Sequence, residues 1–171
     1  MDKATVLLLA QYNEQVNRQM NAQLAELEPV QWKQALGGYY PSIESLCNHI
    51  YIADFIWLKR FTGLRNFSYS QDPLFQGDLT LSDTAFTSRT EYLKKRPVLD
   101  SLISSFAGEL SDRDLSSDLV YRNSRGQEFT KAFGGLVLHM FNHQTHHRGM
   151  ISLYLDQLGI QNDFSNLFHL V

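Results

Sequence analysis

Cysteine is nearly absent. Cys47 is the only one in 171 residues, so no internal disulfide can form and no CxxC or zinc-ribbon spacing exists. Positive charge is also in short supply, with fifteen Lys and Arg against eighteen Asp and Glu for a formal net charge of -3. A chain without a surplus of cations has no field for neutralising a phosphate backbone, which argues against a nucleic-acid partner. Long apolar runs are missing too. The start, MDKATVLLLAQYNEQ, holds five consecutive apolar residues, too few for a secretory signal, and no run approaches the ~18 residues that cross a bilayer. These absences predict a soluble, cytoplasmic protein with no membrane partner.

Apolar material is nevertheless ample. Hydrophobic residues make up 43% of the chain and charged ones 19%, enough for one well-filled core and too apolar for disorder, so residues 1–171 read as a single domain.

Helical periodicity dominates. In residues 4–27, Leu9, Tyr12, Val16, Met20, Leu24 and Leu27 recur at spacings of three and four, with Asn13, Glu14, Asn17, Arg18 and Asn21 between them. A second helix is expected over 43–61, capped by Ser42 behind Pro41, with Leu46, Ala53, Ile56 and Trp57 on its stripe. Residues 62–81 carry Gly63, Asn66, Asp72, Pro73 and Gly77 without sustained period and read as a long crossover. A third helix is expected from about Ser82 to Glu109, kinked or restarted at Pro97. The stretch around Asn123, Ser124 and Gly126 suggests a short hairpin or irregular excursion. A fourth helix is expected over 133–158, ended by Gly159, with a tail that packs Phe164, Leu167 and Phe168. Four long amphipathic helices predict an all-α four-helix bundle.

Four of the six histidines crowd into LHMFNHQTHHRGM, residues 138–150. At 100° per residue, Leu136, Met140, Met150, Ile151, Tyr154 and Leu158 share an apolar arc that contains His143 and His147, whereas His139 and His146 fall on its flank. Spacing alone does not select a pair, since His139 with His143 and His143 with His146 are also neighbours on the helix. The wheel selects His143 and His147. Two inward imidazoles without partners are costly to bury, and protonating them costs more, so a shared cation resolves both penalties. His49 falls on the face of Leu46, Ala53 and Ile56 in the second helix and supplies a third nitrogen. The expected metal ligands are therefore His49, His143 and His147. His169 in the tail reads as solvated.

No catalytic base stands out. Tyr12 reads as a core tyrosine, with a hydroxyl near the site as the alternative, and Asp54 as a solvated helix carboxylate rather than a pocket residue. Arg148 lies off the inward arc and reads as a surface or interface residue, and Cys47 as a small buried hydrophobe.

The succession LCNHIYIADFIWLKR, a polar hairpin region, LHMFNHQTHHRGMI and LGI resembles the DinB-like family of metal-dependent bundles over nearly the whole chain, with QYNEQVN matching its first helix. The resemblance implies an up-down-down-up bundle, often dimeric, with a divalent metal on the residues matching His49, His143 and His147. It departs at Met150, where a glutamine is usual after Arg-Gly. Leu7, Leu8, Ile52 and Phe55, off the inward stripes, agree with a homodimer because such side chains need cover.

Three neutral ligands leave a position open for water or substrate. An open metal position could activate water, as a hydrolase would, or bind a thiol, and the resemblance implies the second, a transferase adding a low-molecular-weight thiol to a small electrophile. Imidazole suits zinc, nickel, copper and iron alike, with zinc or nickel expected. A metal-binding stress or sensor protein without turnover, and a purely structural bundle, are the competing readings.

Overall fold

The computed structural model describes all of residues 1–171. Four long helices make the body: α1 (Lys3–Ala25), α3 (Ile43–Phe61), α4 (Arg89–Glu109) and α6 (Phe133–Gln157), with two short ones, α2 (Pro29–Lys33) and α5 (Asp112–Leu115). No helix is long and apolar enough to cross a membrane. Two strands, β1 (Asp118–Arg122) and β2 (Glu128–Ala132), form the expected hairpin, antiparallel with Asp118 opposite Ala132 and Arg122 opposite Glu128. Gly126 turns it at φ 75°.

Cross-helix contacts fix the directions. Asn17 meets Asp100 while Lys3 meets Gly108, so α1 and α4 are antiparallel. Asp54 meets Arg96 and Phe61 meets Phe106, so α3 and α4 are parallel. His49 meets His143 while Phe61 meets Phe133, so α3 and α6 are antiparallel. The bundle is up-down-down-up, as expected from the sequence, and the long crossover between α3 and α4 is what permits two consecutive long helices to run parallel.

The crossover is not idle chain. Two 3-10 turns, Ser68–Gln71 and Pro73–Gln76, lay Phe67, Tyr69 and Phe75 against the bundle. Tyr69 donates its hydroxyl to Leu58 O at 2.8 Å, and Phe75 stacks on Phe55 at 5.1 Å. Phe55 and Ile52 are each 1% exposed. Their need for cover is met within the chain, and of the four side chains that suggested a partner only Leu7 is exposed.

The third helix begins seven residues later than periodicity suggests. Asn48 on α3 accepts from Ala85 N and Phe86 N and donates to Phe86 O, which holds that segment extended until Ser88 caps α4 by accepting from Glu91 N at 3.2 Å. Phe86 is buried ahead of the helix rather than on it. Pro97 lies inside α4 without ending it. In the tail Phe164 is buried as expected, but Phe168 is 63% exposed.

The largest departure is in the middle of the bundle. Arg96, 1% exposed, donates from Nη1 to Asp54 at 2.6 Å and from Nη2 and Nε to Asp100 at 2.5 and 3.0 Å. Asp100 also accepts from Asn13 and Asn17, and Asn13 in turn accepts from Arg148 Nη1 at 2.6 Å. One buried polar chain thus joins α3, α4, α1 and α6. Asp54 is not solvated and Arg148 is not at the surface. A hydropathy wheel reads each of these residues singly as outward-facing, whereas together they satisfy one another's burial.

Candidate metal centre

The polar core sets the phase of α6. Its buried residues include Leu136, Val137, Met140, Phe141, Gln144, Arg148, Ile151, Tyr154 and Leu155, an arc centred about 55° from the one its apolar residues alone define. His147 sits inside the edge of that arc at 7% exposure, and His143 at the edge itself, half-buried. The two imidazoles face the mouth of the bundle rather than its centre. His139 and His146 lie further round and are exposed.

Across the seam, α3 contributes His49. Ser42 caps this helix by accepting from Ser45 N at 3.2 Å, and its own N–H donates to the Ser45 hydroxyl at 3.0 Å, a capping box. His49 Nε2 and His143 Nε2 are 3.0 Å apart, and the rings of His143 and His147 are 4.4 Å apart. One nitrogen from each of His49, His143 and His147 falls within a set spanning no more than 4.8 Å. Nitrogens bound to one zinc-like ion at 2.0–2.1 Å sit about 3.3 Å apart, so the donor set fits such an ion with small rotations of the rings.

Electrostatics agree with the geometry. Burial, reinforced by neighbouring imidazoles, lowers the pKa of His49, His143 and His147 to about 4 each. At neutral pH all three are uncharged and offer lone pairs. The Nδ1 atoms of His143 and His147 are buried without hydrogen-bond partners.

Sequence reasoning missed Tyr40. Its hydroxyl lies 2.8 Å from His49 Nδ1 and its ring stacks on the imidazole at 4.3 Å. With Nε2 turned to the cluster, Nδ1–H donates to the tyrosine oxygen, which fixes tautomer and ring orientation together. The loop carrying Tyr40 is itself pinned: Tyr154 on α6 donates its hydroxyl to the carbonyls of Gly37 and Tyr40. Gly37 and Gly38 have φ of 91° and 78°, and a Cβ on Gly38 would lie 2.7 Å from the Tyr154 oxygen. Two adjacent glycines before two tyrosines were the available signal.

Two clefts open on either side of His49. One, of about 360 Å³, runs past Lys33, Tyr40, Glu44 and Asn48. The other, of about 430 Å³, runs past Trp57, Arg60, Leu79, Asn123 and His139 to His143. The other sequence candidates lie elsewhere. Tyr12 donates its hydroxyl to Phe164 O in the core. Cys47 is fully buried, and desolvation pushes its thiol up to about 12, which removes it as a nucleophile. His169 is exposed in the tail, and Met150 packs half-buried against the core.

Comparison with known proteins agrees in extent with the fold. The model of the DinB family matches residues 1–167. Among curated proteins, the chain is similar to "Protein DinB" of Bacillus subtilis (strain 168), at 26% identity over 161 residues covering 88% of this chain and 84% of that protein.

Proposed function

We propose a function from two premises: the chain belongs to the DinB family, and three of its imidazoles meet at the mouth of its bundle. The reading they support is a divalent-metal protein, with zinc or nickel on His49, His143 and His147, that uses a low-molecular-weight thiol on a small electrophile. The observation that carries it is the convergence of three neutral, pKa-depressed imidazoles from two helices at open clefts. A divalent ion held by His49, His143 and His147 would act there as a Lewis acid, favouring the thiolate form of a thiol or the deprotonation of water near neutral pH. The chain's own part is to orient the nitrogens through Tyr40 and the buried core, and to present a cleft for the organic part of the substrate.

The lining of the larger cleft holds no carboxylate, so a general base toward water there would be His139, whereas a bound thiolate is already a strong nucleophile and needs no base.

Elemental analysis of untagged protein tests the first half, with about one zinc or nickel per chain expected and a metal-free preparation that resists loading counting against it. Turnover of a panel of thiols with alkylating electrophiles tests the second. Metal without any turnover supports a metal-binding stress or sensor protein instead. A homodimer belongs to the same reading. Leu7, Leu138 and Leu153 are the exposed apolar residues of α1 and α6, at 42%, 48% and 54%, and light scattering should give twice the 19.7 kDa chain mass.

A further inference from the structure

The larger cleft contains a cation that no acid neutralises. Arg60 stands on α3 eleven residues after His49, which places it about 16 Å along the axis and about 20° round the same face. Its guanidinium lies 4.8 Å from the ring centre of Trp57 and 5.4 Å from that of Tyr121 on β1. Arg65 is matched to Asp114, Arg96 to Asp54 and Asp100, and Arg122, the other arginine lining this cleft, to Glu128. Arg60 faces none, and no Asp or Glu lines the cleft it enters.

A guanidinium stacked on aromatic faces keeps its edge donors free, and those donors match a carboxylate in two parallel bonds. Along α3 the cleft wall between His49 and Arg60 is apolar, formed by Ala53, Ile56 and Trp57, while Thr80, Asn123 and Ser124 line it from other segments. One end of the cleft therefore suits a soft donor and the other an anion, with a greasy path between them.

We propose that Arg60 is the anion-recognition residue of this cleft, and that the ligand taken there is an elongated thiol bearing a carboxylate. The assignment rests on the reading of the three histidines as a metal site, and a paired probe separates the two. The full chain is loaded with cobalt(II) and titrated with 8-mercaptooctanoate and with 8-mercaptooctanol, following the thiolate-to-cobalt absorption band. The acid should bind at least about tenfold more tightly than the alcohol, or about 1.4 kcal/mol. Arg60→Gln should abolish that preference while leaving the affinity for the alcohol and the circular dichroism unchanged. Arg122→Gln, at the other cation lining the cleft but one paired to Glu128 on the hairpin, should keep it, and loss of the preference there overturns the assignment to Arg60. Equal affinity for the two probes in the wild type, or a preference that survives Arg60→Gln, overturns the assignment. Failure to take up cobalt, or absence of the thiolate band with both probes, overturns the metal reading instead. Calorimetry of the same probes on the metal-free chain then decides the role of Arg60: a carboxylate preference lost in Arg60→Gln sustains it, and no preference overturns it.

Discussion

Arg148, the residue after His147, donates to Asn13 across the middle of the bundle at 2.6 Å. On a helix, adjacent residues point about 100° apart, so a guanidinium anchored in the core sends the preceding imidazole to the cleft. Gln144, buried beside His143, stands in the same relation to it. The polar core and the histidine cluster are two faces of one helical register.

Removing the central cation should be severe. Arg96→Met leaves Asp54 and Asp100 buried without their partner and is expected to cost about 3–5 kcal/mol, against a total stability of about 5–15 kcal/mol for a domain. Urea unfolding checks this. The triple variant Arg96→Met, Asp54→Leu, Asp100→Leu should recover part of the loss, and a larger loss in the triple would contradict the account of an uncompensated charge.

The histidines should separate into two classes by metal content. His49→Ala, His143→Ala and His147→Ala should each come out of purification essentially metal-free, whereas His139→Ala and His146→Ala keep about one equivalent. Added metal should raise the melting temperature of the second group and not of the first, because only a binding-competent native state gains from it. Retention of metal by His49→Ala would rule out the proposed set.

Tyr40→Phe removes the oxygen facing His49 Nδ1 and nothing from the core. Its metal affinity should fall about 10–100-fold with stability within about 1 kcal/mol of the wild type. Gly38→Ala should also lower the metal affinity, since the added Cβ meets the Tyr154 oxygen and shifts the loop that carries Tyr40, but it should lower stability as well because φ at this position is 78°. Competition against a chelator gives both numbers, and an unchanged affinity in Tyr40→Phe would remove it from the site.

Metal-free protein should lose stability on mild acidification. The three histidines have folded pKa values of about 4 against about 6.5 in an unfolded chain. Between those values the unfolded state binds more protons, so unfolding free energy falls as pH drops from about 6.5 toward 4 and is insensitive to these groups above 7. Urea midpoints at pH 7.5, 6 and 5 should decline in that order, and the decline should shrink in His143→Ala. A flat profile would mean the imidazoles are solvated.

The long helices and the meeting of His49, His143 and His147 are legible in the sequence because apolar period and imidazole position are local signals. What the sequence hid was polar burial. Asn13, Asp54 and Arg148 each look outward-facing alone, and only their mutual hydrogen bonds make the interior tolerable. For the same reason the inward arc of α6 was placed too far toward its apolar edge. The onset of α4 at Arg89 rather than near Ser82 is not a local signal, because it is Asn48, some forty residues earlier, that holds Ala85 and Phe86 extended ahead of the helix.

His49 and His143 are 94 residues apart in the chain, and closing a loop of that length costs about 4 kcal/mol in chain entropy. An ion offered to the nascent chain would find only the adjacent-turn pair on α6 and hold it weakly. The full set exists once α3 and α6 have docked, late on the folding route. Metal should therefore leave the refolding rate almost untouched and act on the reverse step, lengthening the lifetime of the native state in proportion to its affinity.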